Sequence, residues 1–307
     1  MTPTFRDGAA QVRVPATSAN LGPGYDAFGL ALSWYDDVVA RVADGGLRVD
    51  VSGEGDDVAR DESHLVVRAM RAAFDRLGGQ PSGIELSCTN RIPHGRGLGS
   101  SAAAIVAGVS LARALVDGGA DLLPDDALFA LAAELEGHLD NVAACCYGGI
   151  TIAWAQDGTA RAARGTVRAP IRPVALVPPY ESSTHAARGL LPATVPHADA
   201  AFAVGRGALL FAVLSGAAGS PDGLLVATDD RLHQPYRAAA MPQTAELVRA
   251  LRADGHAAVV SGAGPSVLVL ARDEVEVHNV AAATPSDWRC EALSVDTDGA
   301  RVTSGPE

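Results

Sequence analysis

The stretch "RIPHGRGLGSSAAAI" (residues 91–105) changes from a glycine-rich loop to an alanine-rich helix pattern within a few positions. The loop holds alternating glycines followed by two serines: Gly95, Gly97, Gly99, Ser100 and Ser101. Glycine lets several backbone N–H groups approach one anion, and the N-terminus of the following helix adds a positive dipole. The stretch therefore fits a phosphate site. A serine-capped turn that only starts a helix explains the same residues equally well.

Two common nucleotide-binding motifs do not fit this loop. A Walker loop requires lysine before its serine or threonine, and the chain contains no lysine. A dinucleotide fingerprint has the spacing G-x-G-x-x-G, whereas here the glycines alternate directly up to the serines. Any phosphate bound by this chain is therefore held by arginine, backbone N–H groups, a helix dipole or a metal ion.

Length and charge restrict the class of protein. The 307 residues suffice for two domains, and the net charge of −12 argues against nucleic acid or an anionic membrane as partner. The cysteines have no metal-site spacing, and the first residues lack a signal-peptide pattern. The longest apolar stretch, 102–116, is too short to cross a bilayer. We expect a cytoplasmic protein that acts on small molecules.

Apolar periodicity favours an α+β chain over a doubly wound parallel sheet. Alternating residues predict a hairpin over 36–53, a strand over 82–90, and hairpins over 148–164 and 256–272. Helical spacing predicts helices over 62–77, 100–116, 124–136, 199–215 and 243–253. The proline-rich segment 168–183 is interpreted as a junction, so the expected domains are 1–168 and 169–307.

Three further segments carry polar or glycine-rich clusters. Residues 14–32, "VPATSANLGPGYDAFGLAL", are too polar for a core. Residues 260–271, "VSGAGPSVLVLA", are by themselves more typical of a hairpin turn than of a site. Residues 134–149, "ELEGHLDNVAACCYGG", bring several titratable or amide groups to the end of a helical pattern: Glu134, Glu136, His138, Asp140 and Asn141.

Together these segments resemble the GHMP family of small-molecule kinases, through residues 15–32, "GLGSSAA" and "SGAGPS" in family order over most of the chain. The likeness is strongest to the homoserine kinase branch, on the same residues 15–32, on "EGHLDNVA" followed by "YGG", on "STHAARGLLP" (183–192) and on "LHQPYR" (232–237). The resemblance implies an N-terminal domain similar to domain 2 of ribosomal protein S5 and a ferredoxin-like C-terminal domain.

The implied activity is transfer of the γ-phosphoryl group of ATP, with Mg²⁺, to the side-chain hydroxyl of L-homoserine. The resemblance assigns ATP to Pro93, His94, Gly95, Arg96, Gly97, Leu98, Gly99, Ser100, Ser101, Ala102 and Ala103. It assigns Mg²⁺ to Ser101, with Ser100 as the alternative serine, and to Glu134, with Glu136 as the alternative glutamate. It groups Ser101, Glu134 and Asn141 as catalytic. It assigns the amino acid to Asn20, Asp26, His138, Asp140, Arg188 and Arg237. It leaves open a homodimer.

The chemistry of a zwitterionic acceptor agrees with these roles. Asp140 or Asp26 can pair with the ammonium, and the guanidinium forks of Arg188 and Arg237 suit the carboxylate. With no lysine in the chain, the lysine-assisted aspartate base of mevalonate-type members cannot operate. Leu139 stands where the family usually has proline.

Two alternatives stay open at this point. One is a kinase of the same family that phosphorylates another small alcohol, such as a mevalonate-type or diphosphocytidyl-methylerythritol substrate. The other is a nucleotide-binding sensor that has the fold and no turnover.

Overall fold

The computed structural model describes residues 3–55, 57–182, 187–218 and 220–305. In chain order its strands are β1 (Ala9–Ala19), β2 (Phe28–Ala43), β3 (Gly46–Gly53), β4 (Gly83–Asn90), β5 (Ile150–Gln156), β6 (Thr159–Gly165), β7 (Arg172–Val177), β8 (Ala258–Val260), β9 (Val267–Ala271), β10 (Arg289–Ala292) and β11 (Arg301–Ser304). Its helices are α1 (Leu65–Arg76), α2 (Ser100–Ala114), α3 (Gly119–Leu122), α4 (Asp125–Glu136), α5 (Asp140–Tyr147), α6 (His197–Leu214), α7 (Leu224–Ala227), α8 (Gln234–Arg237), α9 (Pro242–Ala253) and α10 (Glu274–Ala283).

The strands form two sheets, and the expected α+β class is confirmed. The first sheet has the order β11-β1-β2-β4-β3, with β5 paired to β2 and β6 paired to β5. The second sheet has the order β10-β7-β9-β8. All pairings are antiparallel except that of β3 with β4.

Helix α2 connects the loop quoted above to the core of the first sheet. Ala102, Ala103, Ile105 and Val106 are almost completely buried, and small side chains let α1 and α2 approach closely. A Cβ on Gly108 would lie 2.5 Å from the carbonyl oxygen of Val66 on α1. Close packing therefore fixes the axis of α2, and its N-terminus is held at a defined point.

The hairpin predicted over 36–53 is wrong. The turn at 44–46 does join β2 to β3, but β4 lies between them, pairing antiparallel with β2 and parallel with β3. Alternation of apolar residues identifies a half-buried strand without naming its partner. The hairpins at 148–164 and 256–272 and the predicted helices are confirmed, with boundaries shifted by a few residues.

The proline-rich segment 168–183 is more than a junction. It contains β7, an inner strand of the second sheet whose residues from Pro173 to Val177 are buried. Prolines at 170, 173, 178 and 179 flank or begin this short strand, so their number indicated a linker. After β10, the last strand of the second sheet along the chain, the chain returns to the first sheet, where β11 pairs with β1. The 168/169 division stays a prediction, and this pairing assigns residues 301–304 to the first sheet.

One helix in the described part, α6, is long and apolar enough to cross a membrane by length and composition. A single helix of this kind is weak evidence, because packed helices of folded domains meet the same criteria. Leu210, Val213 and Leu214 of α6 are buried in the larger hydrophobic core, which includes residues of both sheets.

Candidate active site

A cleft of about 510 Å³ brings the sequence motifs together. Its walls come from residues within 19–25, 95–101, 136–141 and 262–263, together with Ser182, Arg188 and Arg237. The 95–101 loop and the 262–263 turn are far apart in sequence and meet here. The cleft therefore combines the glycine loop with the acidic and cationic groups predicted to bind an acceptor.

The glycine loop is held in place at its start and in its middle. Where it begins, the buried carboxylate of Asp36 accepts hydrogen bonds from the backbone N–H groups of Arg91 (2.6 Å) and Ile92 (2.9 Å). In its middle, Ser261 donates from Oγ to the carbonyl oxygen of Gly97 at 2.7 Å. Gly97 has φ +70°, and a Cβ there would lie 2.3 Å from the carbonyl oxygen of Ser261. The "SGAGPS" turn is thus the surface against which the loop closes.

The predicted ATP residues fall into two groups, apart from His94, which lines an adjoining cavity described below. Those that line the cleft are Gly95, Arg96, Gly97, Gly99, Ser100 and Ser101. Those that are buried behind it are Pro93, Leu98, Ala102 and Ala103. The second group shapes the loop and the start of α2, and its side chains do not reach the cleft.

The guanidinium of Arg96 makes its hydrogen bonds within the protein. It donates to the carbonyl oxygens of His94 (2.7 Å), Pro178 (2.9 Å) and Pro179 (2.9 Å), and it pairs with Glu181 at 3.3 Å. These bonds occupy most of its donors, so Arg96 ties the glycine loop to the segment after β7.

The structure places the two candidate glutamates on different sides of α4. Glu134 is exposed on the outer side of α4, where it pairs with Arg76 at 3.2 Å. Glu136 lines the cleft, and Ser101 donates from Oγ to its Oε1 at 2.5 Å. Residues two apart on a helix point in nearly opposite directions, so only one of the two can face Ser101. Burial raises the pKa of Glu136.

The link between α4 and α5 presents the next polar groups. Gly137, with φ +78°, ends α4, and α5 begins at Asp140. Asp140 is 3% exposed, and burial raises its pKa to about 6. His138 is half-buried, and burial followed by the charge of Arg188 lowers its pKa.

Two arginines supply positive charge to the same cleft. Arg237 is 2% exposed, and its guanidinium donates to the carbonyl oxygens of Ala187 (3.2 Å) and Gly262 (3.4 Å). Burial lowers its pKa. Arg188 forms an ion pair with Asp26, while its buried Nε has no hydrogen-bond partner in the described part of the chain. Arg188 keeps one unmet donor, and Arg237 has no carboxylate partner among the described residues, so both guanidiniums suit an anionic ligand.

The two predicted asparagines have structural partners as well as a place in the cleft. Asn20, with φ +69°, donates from Nδ2 to the carbonyl oxygen of Gly262 at 2.8 Å and accepts from the N–H of Asp26 at 2.9 Å. Asn141 accepts from Thr17 Oγ1 at 2.8 Å. The first bond attaches the loop of residues 20–26 to the 262–263 turn, and the last attaches α5 to β1.

Some site residues were not predicted from the sequence. Tyr25 lines the cleft, with its ring 5.5 Å from the guanidinium carbon of Arg237. Thr17 and Ser261 hold the loops, and their only sequence signal was membership of a polar or glycine-rich segment. Of "STHAARGLLP", the first four residues, 183–186, lie outside the described residues.

A second, more apolar cavity of about 360 Å³ adjoins the cleft. It shares Ser100 and Ser101 with it and is lined by Val58, His64, Val66 and Cys88 among others. A flat heteroaromatic ring suits such a cavity, since its walls are mostly apolar and it adjoins the glycine loop.

Two family models match the chain. The GHMP kinases N-terminal domain matches residues 64–149, and the GHMP kinases C-terminal model matches residues 201–290. The chain belongs to the GHMP kinase family. This GHMP kinase is 57% identical to a homoserine kinase of Streptomyces avermitilis, over 98% of this chain and 97% of the relative. It is 50% identical to a homoserine kinase of Clavibacter michiganensis, over 95% and 93% of the two chains.

Solved structures give the same family fold. The homoserine kinase of Cytophaga hutchinsonii superposes with a TM-score of 0.83 at 26% identity, over 98% of this chain and 99% of the other. Mevalonate diphosphate decarboxylase of Staphylococcus aureus superposes at 0.70 and 15% identity, over 96% and 98%, which reflects the fold alone. The GHMP kinase described here is thus an ATP-dependent small-molecule kinase with the two-domain fold of its family.

Proposed function

We propose that this GHMP kinase is a homoserine kinase, which transfers the γ-phosphoryl group of ATP to the side-chain hydroxyl of L-homoserine in threonine biosynthesis. The observation that carries the proposal is one cleft lined by the glycine loop, the buried carboxyl of Asp140 and the guanidiniums of Arg188 and Arg237. An acceptor with an ammonium, a carboxylate and a free hydroxyl fits this combination of charges. The names of the relatives support the same acceptor.

ATP would lie across the two adjoining cavities. The backbone N–H groups of the glycine loop and the N-terminus of α2 would hold its phosphates, and the apolar cavity beside Ser100 and Ser101 would take the base. This arrangement directs the γ-phosphate to the cleft in which the acceptor's hydroxyl would lie.

Ser101 and Glu136 fit a magnesium ion. A hydroxyl and a carboxylate 2.5 Å apart at the phosphate loop are hard oxygen donors, the type that Mg²⁺ prefers. The described residues contain no group of three or more metal-binding side chains. Mg²⁺ commonly completes its shell with water and substrate phosphates, so two protein oxygens suffice. When bound, the ion would neutralise charge on the phosphates.

The acceptor would bind by its two charged groups. Asp140, with Asp26 close by, would hold the ammonium, and Arg237 with Arg188 would hold the carboxylate. In the structure Asp26 and Arg188 form an ion pair with each other. We propose that the acceptor inserts between them, so that its ammonium pairs with Asp26 and its carboxylate pairs with Arg188. His138 and Asn20 would border the bound amino acid, and Asn141 would lie near the transferring phosphoryl group.

Catalysis would rest on positioning and on charge neutralisation. Phosphoryl transfer needs the attacking and leaving oxygens in line, and fixed N–H donors stabilise charge on the equatorial oxygens. The loop's attachment to Asp36 and Ser261 keeps these donors in place before ATP arrives. No lysine is available to assist a base.

The test is ADP release with Mg-ATP and a panel of acceptors: L-homoserine, mevalonate, galactose, L-serine and none. Turnover with L-homoserine alone is expected. Turnover with mevalonate or galactose instead would replace the proposal with the other-alcohol alternative. ATP binding without turnover on the panel would favour a sensor.

We further propose a cytoplasmic location, no nucleic-acid or membrane partner, and a homodimer. The acidic charge supports the second point. Light scattering at several protein concentrations tests the oligomeric state.

A further inference from the structure

His233 is a completely buried histidine directly behind Arg237. Its side chain is 0% exposed, and its ring packs at 5.3 Å against the ring of Tyr25 in the cleft wall. Nε2 lies 2.9 Å from the carbonyl oxygen of Gly22, and Nδ1 lies 3.2 Å from Nη1 of Arg237. The imidazole therefore joins the 20–26 loop to the guanidinium that faces the cleft.

The two partners determine where the imidazole proton lies. A carbonyl oxygen can only accept, so Nε2 must carry the hydrogen, and a guanidinium can only donate, so Nδ1 must present its lone pair. The carboxylate Oδ2 of Asp230, 3.5 Å from Nε2, is a second acceptor on the same side. A doubly protonated ring would set an N–H against the N–H of Arg237. Burial also lowers the pKa of His233, which agrees with the neutral form.

The backbone around His233 is fixed independently of the cleft. The carboxylate of Asp230 accepts from the N–H groups of Leu232 (2.7 Å), His233 (3.2 Å) and Gln234 (2.8 Å). This turn leads into α8, which carries Arg237 one helical turn later. The imidazole thus has a rigid base and two directed hydrogen bonds.

We infer that His233 is a positioning residue for the acceptor's carboxylate: its neutral Nε2–H form orients Arg237 and ties it to the 20–26 loop, and so selects acceptors that carry a carboxylate. The inference rests on the proposed function and deepens it. No hydrogen bond of Arg237 to a carboxylate exists in the described chain, so the imidazole and the carbonyl oxygens of Ala187 and Gly262 hold the guanidinium.

The test compares two acceptors that differ only in the carboxylate, L-homoserine and 3-aminopropan-1-ol. The analogue keeps the ammonium and the hydroxyl, and it is assayed as substrate and as competitive inhibitor. In His233→Leu we expect kcat/KM for L-homoserine to fall roughly 10- to 100-fold, the size of a hydrogen bond to a charged group, with the constants for the analogue and for ATP within about 2-fold of wild type.

Two conservative variants separate the hydrogen bonds and keep the test decisive if the leucine variant does not fold. The Oδ1 of His233→Asn can replace Nδ1 as acceptor for Arg237, whereas the amide N–H of His233→Gln can replace Nε2 as donor to Gly22. We expect the asparagine variant to retain more of the preference for L-homoserine than the glutamine variant. Adding His233→Leu to Arg237→Met should cost L-homoserine turnover little further, because both act on one contact.

His256→Leu is the matched control. His256 is also largely buried but bonds to Glu276 of α10 at 2.8 Å and does not line the cleft. It should lower stability and leave the preference unchanged. Equal losses for both acceptors in His233→Leu, or better retention by glutamine than by asparagine, would overturn the inference. Wild-type protein that does not turn over L-homoserine would instead overturn the proposed function, and the inference with it.

Discussion

The hydroxyl Oγ of Ser101 lies 2.5 Å from Oε1 of Glu136, which joins the first turn of α2 to the last turn of α4 at the glycine loop. The neighbouring glutamate on α4, Glu134, points away and pairs with Arg76. These two side chains are chemically identical and only one faces the cleft, so they provide a direct comparison.

We predict that Glu136→Gln lowers kcat at least about 100-fold and raises the Mg²⁺ concentration needed for half-maximal activity. The amide is a weaker ligand for a hard cation than the carboxylate, and the charge on the phosphates is less well neutralised. The measurement is a Mg²⁺ titration of ADP release at saturating ATP. Glu134→Gln is the control and should behave as wild type. Similar losses in the two variants would refute the assignment of Glu136.

Gly97 gives a second prediction. In Gly97→Ala the new Cβ would lie 2.3 Å from the carbonyl oxygen of Ser261, so the loop must move off the turn that holds it. We expect the Kd for a non-hydrolysable ATP analogue to rise at least tenfold in calorimetry. Gly118→Ala is the control, because Gly118 has a similar φ of +67° and open space around it. It should lose only about 1 kcal/mol of stability from backbone strain. Unchanged ATP affinity in Gly97→Ala would show that the loop is only a turn.

For Arg237→Met we predict a KM for L-homoserine about 100-fold higher, with the KM for ATP within about 2-fold of wild type. The substitution removes a buried cation that would face the carboxylate, and methionine keeps much of the volume. Initial rates with each substrate varied in turn give both constants. Arg231→Met, at a half-exposed arginine paired with Asp199, should change neither constant. Equal increases in both constants would contradict the carboxylate role.

Protonation of Asp140 should lower activity as the pH falls. Burial raises its pKa from an ordinary value of 3.8 to about 6, so its carboxylate gains a proton as the pH falls through 6. Because the ionised form would hold the ammonium, kcat/KM for L-homoserine should fall below about pH 6. In Asp140→Asn, activity should be low at every pH and this acid limb should be absent.

The same shift predicts a gain in stability for Asp140→Asn. Between pH 3.8 and about 6 the folded state holds the proton more firmly than the unfolded state, so stability falls as pH rises and the loss is complete above pH 6. The asparagine variant should therefore have a free energy of unfolding roughly 1 to 3 kcal/mol larger than wild type at pH 7.5 and should melt a few degrees higher. The difference should vanish near pH 4. A lower melting temperature at pH 7.5 would contradict a buried, ionised Asp140.

Much of the site was predictable because it is encoded by short segments. The glycine loop, the serines and the acidic group after α4 each form a local pattern, and the structure brings Asn20, Asp140, Asn141, Arg188 and Arg237 to one cleft. Their binding roles stay predictions. The glutamate could not be chosen, since an uncertainty of two residues, about half a helical turn, moves a side chain to the opposite face. Arg96 looked like a phosphate ligand because its carbonyl partners at Pro178 and Pro179 are distant in sequence.

The fold was predictable element by element and less so in its pairings. Strand and helix patterns located β4, α2 and α9, because burial of one face leaves a periodic trace. That β4 inserts between β2 and β3 depends on contacts across the sheet, which no local period records. The inner strand β7 was concealed by the prolines around it.

Because β11 pairs with β1, the first sheet cannot be completed until the end of the second half of the chain has been synthesised. Ribosomal synthesis produces β1 before and β11 after the other strands of the described residues, so the first sheet has an open edge along β1 while the second sheet is being made. That edge exposes unpaired N–H and C=O groups, which favour association between nascent chains. Folding of the first sheet is therefore completed after synthesis of the second, and a message truncated before residue 301 would leave a kinase whose cleft residues are all present and whose first strand is paired on one side only, with β2.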